Sequence, residues 1–156
     1  VAIPRSAGLL MYRRQGDAVE VLLAHPGGPF WARKDLGAWT LPKGEYDETE
    51  APLEAACREF VEETGFPCQP PFEPLGEVRQ KSGKRISAWA FEGNADPAAL
   101  RSDLFEMEWP PRSGRQQSFP EIDRVAWFGL DEARYKLIPG QAPFLDALTR
   151  SLSLKP

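Results

Sequence analysis

One stretch of this chain sets a problem that any fold must solve. From Thr49 to Thr64 the sequence TEAPLEAACREFVEET is helical in pattern. Thr49 is placed to cap the N-terminus, Pro52 falls in the tolerant first turn, and Gly65 stands where a helix ends in the left-handed conformation. At about 100° per residue, Leu53, Ala56, Cys57, Phe60 and Thr64 gather on one side. Glu59, Glu62 and Glu63 gather on a neighbouring side. One face packs and the other displays three carboxylates at spacings that make them neighbours, so they repel. A hard divalent cation such as Mg²⁺, with Mn²⁺ as the alternative, offsets that repulsion. It takes carboxylate oxygens and waters and leaves positions for substrate phosphates. Arg58, beside the cluster, can hold one carboxylate by a charge-assisted hydrogen bond. On the helix pattern alone, a merely solvated acidic face is the more economical reading.

The rest of the chain reads as strands and two further helices. Ser6 to Tyr12 and Val19 to Ala24 are apolar, β-prone runs around a polar turn. Pro26 to Gly37, rich in glycine, proline and aromatics, is a loop, and a short strand is predicted at Ala38 to Leu41. A second hairpin is predicted from Leu75 to Val78 and Ile86 to Phe91, a strand at Val125 to Phe128, and helices over Asp131 to Leu137 and Ala142 to Leu152. Gly93 to Pro120 is predicted to be one long irregular segment. This order predicts an α/β domain, a mixed sheet covered by helices on both faces, filling residues 1–156 as one unit.

Charge and composition narrow the function. A net charge of −4 argues against a protein that coats a nucleic-acid polymer, which needs a broad basic surface. No apolar run is long enough to span a bilayer, and Val1 to Arg5 lack the layout of a secretion signal, so the expected location is cytoplasmic. Cys57 and Cys68 have neither zinc-site spacing nor disulfide-scaffold density and read as reduced thiols. His25 is the only histidine and reads as a strand-end residue.

The run GEYDETEAPLEAACREFVEETGF, Gly44 to Phe66, resembles a complete Nudix box. It has Gly44, Glu50, Arg58-Glu59, an apolar Phe60, Glu62-Glu63, Gly65 and an apolar Phe66 at the family's spacing. Seven specified glycine, glutamate and arginine positions recur by chance only about once in a hundred million starts. The resemblance covers 23 residues directly, and the element order around them is also similar to the Nudix α/β/α sandwich with its loop–helix–loop.

This resemblance implies an Mg²⁺-dependent hydrolase of phosphoanhydrides in small nucleotide-type substrates, acting as monomer or homodimer. It implies Glu59, Glu62 and Glu63 as metal ligands, with Gly44 close to metal or phosphate and its carbonyl a further ligand. Glu50 and Arg58 hold loop to helix. It also implies one more glutamate from a later loop. Glu121, six residues before Trp127 in FPEIDRVAWF, matches the branch that cleaves dinucleoside polyphosphates, as metal ligand or general base; Glu106 and Glu108 are its competitors. Glu59 and Glu62 are the other candidates for base. The run AWTLPKGE resembles the same branch and marks Lys43 as a phosphate-binding residue. Trp31 and Phe119 are candidates to stack on a nucleobase. Two rivals on the same scaffold are weaker. An isomerase of the isopentenyl diphosphate type needs several metal-binding histidines, and a nucleotide sensor that does not cleave commonly shows decayed box glutamates.

Overall fold

The computed structural model describes residues 4–153; Val1 to Ile3, where the reading for a leader begins, lie outside them. The first hairpin is β1 (Arg5–Gln15) and β2 (Ala18–Pro26). A long loop leads to β3 (Lys43–Glu45) and then to α1 (Pro52–Thr64). The second hairpin, β4 (Glu73–Arg79) and β5 (Arg85–Glu92), turns at the expected Lys81 to Lys84. A third, β6 (Leu104–Glu108) and β7 (Gln116–Pro120), precedes β8 (Ile122–Gly129), α2 (Leu130–Lys136) and α3 (Ala142–Ser153).

The main sheet runs β4-β5-β1-β2-β8, with β3 added beside β1. β1 pairs parallel with β5 and antiparallel with β2 and β3, so the sheet is mixed. Its middle strand is buried on both faces, which is why Ser6 to Leu10 read as a continuous apolar run rather than an alternation. Side chains still alternate. Leu9 and Met11 join Ala55, Ala56 and Phe60 of α1 on one face, while Leu10 and Tyr12 join Ala133, Phe144, Leu145 and Leu148 of α2 and α3 on the other. Phe60 is fully buried and meets Phe91 edge to face at 5.3 Å. Losing such a ring costs about 3–5 kcal/mol, so the apolar side of α1 supplies its main hold on the sheet and its acidic side faces away from the core.

Three expectations need correction. Ala38 to Leu41 is not a strand but makes only isolated bridges, Ala24 to Thr40 and Trp39 to Leu137, because it crosses between the sheet and α2. The paired segment is Lys43–Glu45. Thr49 does not cap α1. The cap position is Ala51, with Pro52 starting the helix, and Thr49 spends both its backbone N–H and its hydroxyl on Asp47. Gly93 to Pro120 is not irregular throughout, since it contains the β6–β7 hairpin. Its alternation was hidden because both of that hairpin's faces are largely solvated. His25 does stand near the end of β2, but it is fully buried there. Gly65 meets expectation, closing α1 at φ 75° with its N–H on the Val61 carbonyl.

Candidate active site

The three box glutamates leave α1 beside β3, and the close packing of helix on strand is set by Gly44. A Cβ there would overlap the Glu59 carboxyl carbon, so only glycine lets that side chain lie against the strand. Glu63 is fixed differently, its Oε2 accepting the Lys43 backbone N–H at 3.2 Å. Arg58 ties the loop to the helix. Its guanidinium makes a two-pronged contact with Glu50, at 2.7 and 2.9 Å, and also donates to Glu59 at 2.9 Å and Glu62 at 3.3 Å. Arg58 therefore orients two of the three carboxylates while its own charge is held by a fourth outside the cleft.

Glu121 reaches this cluster by a route the sequence did not show. β8 lies at the sheet edge beyond β2, not beside α1. The link is the segment Arg101 to Asp103. The N–H groups of Arg101 and Asp103 donate to the Thr64 and Glu62 carbonyls, satisfying acceptors that a helix C-terminus leaves open. The Asp103 carbonyl then accepts the Glu121 N–H at 2.8 Å, and the Glu121 carbonyl accepts Gly27 N–H at 2.9 Å. Asp103 itself enters the site, a residue that no spacing argument singled out.

The result is an open cleft of about 440 Å³ lined by Lys43, Gly44, Glu45, Glu59, Glu62, Glu63, Lys84, Asp103, Leu104 and Glu121. Burial, with Glu59 and Glu121 nearby, pushes the Glu63 carboxyl up to about 8. Burial also raises Glu59 from its ordinary value, against the pull of Arg58, and raises Glu121, with Glu59 and Asp103 adding to it. Lys43 is lowered by burial and then by Lys84. So many carboxylates held at a cost around one cavity is the electrostatic mark of a cation site. The side chains line the walls without closing on a point: among the described residues no three His, Cys, Asp or Glu groups form a finished cage. Such an open oxygen donor set fits Mg²⁺, which keeps several waters and takes few carboxylates directly.

The remaining predicted residues fall elsewhere. Trp31 and Phe119 do not line this cleft. Trp31 carries the Lys34 ammonium over its ring at 5.0 Å, and Phe119 packs on Phe105 at 6.0 Å. Glu108 accepts the Arg112 and Gly114 N–H groups within its hairpin and Glu106 is exposed on β6, so neither competitor of Glu121 lines the cleft. Cys57 and Cys68 are free, and burial and its neighbour Cys68 push Cys57 up to about 12, the opposite of an activated thiol.

An acidic helix packed on a mixed sheet thus brings its carboxylates together with a distant glutamate beside a glycine-bearing strand. The chain belongs to the NUDIX domain family, whose model matches residues 2–148. An RNA pyrophosphohydrolase of Rhizobium meliloti (strain 1021) is 28% identical over 116 residues, 65% of this chain and 64% of that protein. Another of the same name, from Bartonella henselae, is 28% identical over 146 residues, 81% of this chain and 76% of its own length. The chain spans only 36% to 39% of the length of other relatives so named. Among solved structures, a C. elegans Ap4A hydrolase binary complex superposes with a TM-score of 0.67 at 22% identity, over 97% of this chain and 98% of that one. That likeness is one of fold. No helix of the described residues is long and apolar enough to cross a membrane.

Proposed function

We propose that this protein hydrolyses a phosphoanhydride bond in a small nucleotide-type substrate, with Mg²⁺ or Mn²⁺ held by Glu59, Glu62, Glu63 and Glu121 and by the Gly44 carbonyl. The observation that carries the reading is the meeting of Glu121 with the three helix glutamates in one cleft that also holds two lysines. When bound, the cation neutralises phosphate charge and makes water a better nucleophile. The protein's own groups do the rest. Lys43 and Lys84 line the same cleft, where an ammonium stabilises negative charge on the leaving phosphate. Arg58 and the Lys43 N–H fix the positions of the α1 carboxylates and occupy oxygens that would otherwise be free to take a proton. The Glu121 side chain is not among those hydrogen-bonded in this way, so it is the group we assign to take the proton from the attacking water.

The family likeness to proteins named RNA pyrophosphohydrolase and Ap4A hydrolase supports nucleotides as the substrate class. The acidic net charge opposes a polymer-coating mode, while a polymer's 5′ end remains a small enough object for this cleft. Trp31 and Phe119 stack on a base only if the ligand extends beyond the cleft lining. Release of phosphate or pyrophosphate is measured across nucleoside triphosphates, dinucleoside polyphosphates, ADP-ribose and a 5′-triphosphorylated RNA, with and without Mg²⁺. We expect Mg²⁺-dependent cleavage of at least one of them. Tight nucleotide binding with no cleavage of any would instead make the domain a sensor.

A further inference from the structure

A second cleft, of about 410 Å³, lies against β8 and the loop before Trp39, lined by Ala32, Arg33, Lys34, Asp35, Trp39, Arg124, Ala126, Phe128 and Lys136. It shares no residue with the carboxylate cleft. It is on the other face of the sheet, because Trp39, Ala126 and Phe128 belong to the α2–α3 side while Val125 and Trp127 belong to the α1 side. Four cations line it in a chain of net charge −4. Lys136 is paired with Asp35 at 2.7 Å. Among the described residues, Arg33, Lys34 and Arg124 have no carboxylate within ion-pairing distance.

Two observations say what this cleft offers a ligand. Its aromatic rings are not open platforms: Trp39 is 4% exposed and Phe128 8%, with the Arg124 guanidinium 5.3 Å over the first ring and the Lys136 ammonium 5.6 Å over the second. The ring faces are taken by cations, so the cleft presents positive charge rather than a stacking slot. The loop is also anchored from below. His25, fully buried, donates from Nε2 to the Lys34 carbonyl at 2.7 Å, while its Nδ1 bonds to the Asp123 carboxylate at 2.9 Å. Trp39 Nε1 donates to Asp35 at 2.8 Å. Three cations without a carboxylate partner, on an anchored loop and a strand, give the cleft a positive lining that a multiply charged anion can neutralise.

We infer that this basic cleft binds a phosphate group distinct from the anhydride cleaved at α1, with Arg33, Lys34 and Arg124 as its ligands. The phosphate comes either from a remote position of the substrate, such as a second phosphate on its ribose, or from free phosphate. This goes beyond the hydrolase reading and is tested without turnover. The full chain in chelator is titrated with inorganic phosphate while the Trp39 indole N–H is followed by NMR, with chloride at matched ionic strength as control. A saturable shift is expected with phosphate only, weakened at least tenfold in Arg33→Gln/Arg124→Gln and unchanged in Glu62→Gln. Arg33→Gln alone, on an exposed loop, repeats the test with least risk to the fold. No saturable shift in the wild type, or equal binding by the variants, overturns the inference. The source is then read from KM for a nucleoside triphosphate with and without a 3′-phosphate. A rise in the double variant confined to the 3′-phosphorylated compound assigns the substrate's own phosphate, and equal KM values for the two proteins on both compounds assign free phosphate. Failure of the hydrolase reading would leave the chelator titration untouched.

Discussion

At the scale of single residues, the site is built from groups whose environments differ though their chemistry is the same. Glu62 is exposed, Glu59 lies against Gly44, and Glu63 is tied to the Lys43 backbone. If they share a cation, each contributes charge that an amide cannot supply. Glu62→Gln and Glu63→Gln should each lower turnover by about 100-fold or more with an unchanged circular dichroism spectrum. Near wild-type Mg²⁺-dependent rates in either would remove the metal assignment. Glu121→Gln should lower kcat by about 100-fold, in the range of lost general-base catalysis, and leave KM nearly unchanged. Glu106→Gln and Glu108→Gln should do far less. A larger kcat loss in either of those two would shift the base to the hairpin.

At the scale of the element, α1 is held by its apolar face and strained on its acidic one. Its clearest liability is Glu63. The folded carboxyl titrates at about 8 because burial and neighbouring charge disfavour ionisation, against an ordinary value of 4.5. Below the lower value both states are protonated and the fold bears no penalty. As pH rises towards 8 the unfolded chain has already lost its proton while the fold retains it, so stability declines through that window. In chelator, the melting temperature should therefore fall between pH 5 and pH 8, and Glu63→Gln, which keeps an acceptor for Lys43 N–H, should flatten the fall and melt higher at pH 8. A variant that melts lower at every pH would mean that the charge serves a structural pair. The far end of the helix gives a simpler expectation. Gly65→Ala forces a left-handed backbone on alanine and presses its Cβ against Arg101. It should cost about 1 kcal/mol or more, seen as a lower denaturation midpoint.

At the scale of the whole molecule, metal binding and folding should be coupled, because the proposed ligands come from β3, from α1 and from the junction between β7 and β8, and meet only in the folded chain. A cation that binds only the native state raises stability by mass action. Mg²⁺ should raise the melting temperature in a concentration-dependent way, and less so in Glu63→Gln. A melting temperature indifferent to Mg²⁺ would contradict the cleft as a metal site.

The helix, its terminating Gly65, its carboxylate stripe and its apolar stripe were all readable in the sequence, because each depends on neighbours three or four residues away. So were the first two hairpins, whose turns are local. Thr49 shows the limit even here: Asp47 two residues earlier competed for its hydrogen bonds, and propensity could not rank the two. The hairpin at Leu104 to Pro120 escaped because a solvated pair of strands leaves little apolar pattern. Glu121 was legible as a residue but not in its route, since its path to the cleft runs through backbone bonds of Asp103 to the Glu62 carbonyl at the helix end, which no side-chain type encodes. Asp103 and the basic cleft had no sequence signal for the same reason. A periodic pattern reports which face of an element is buried. Which charged residues of separate elements end up around one cavity is decided by how the sheet and helices pack, and only the tertiary structure holds that information.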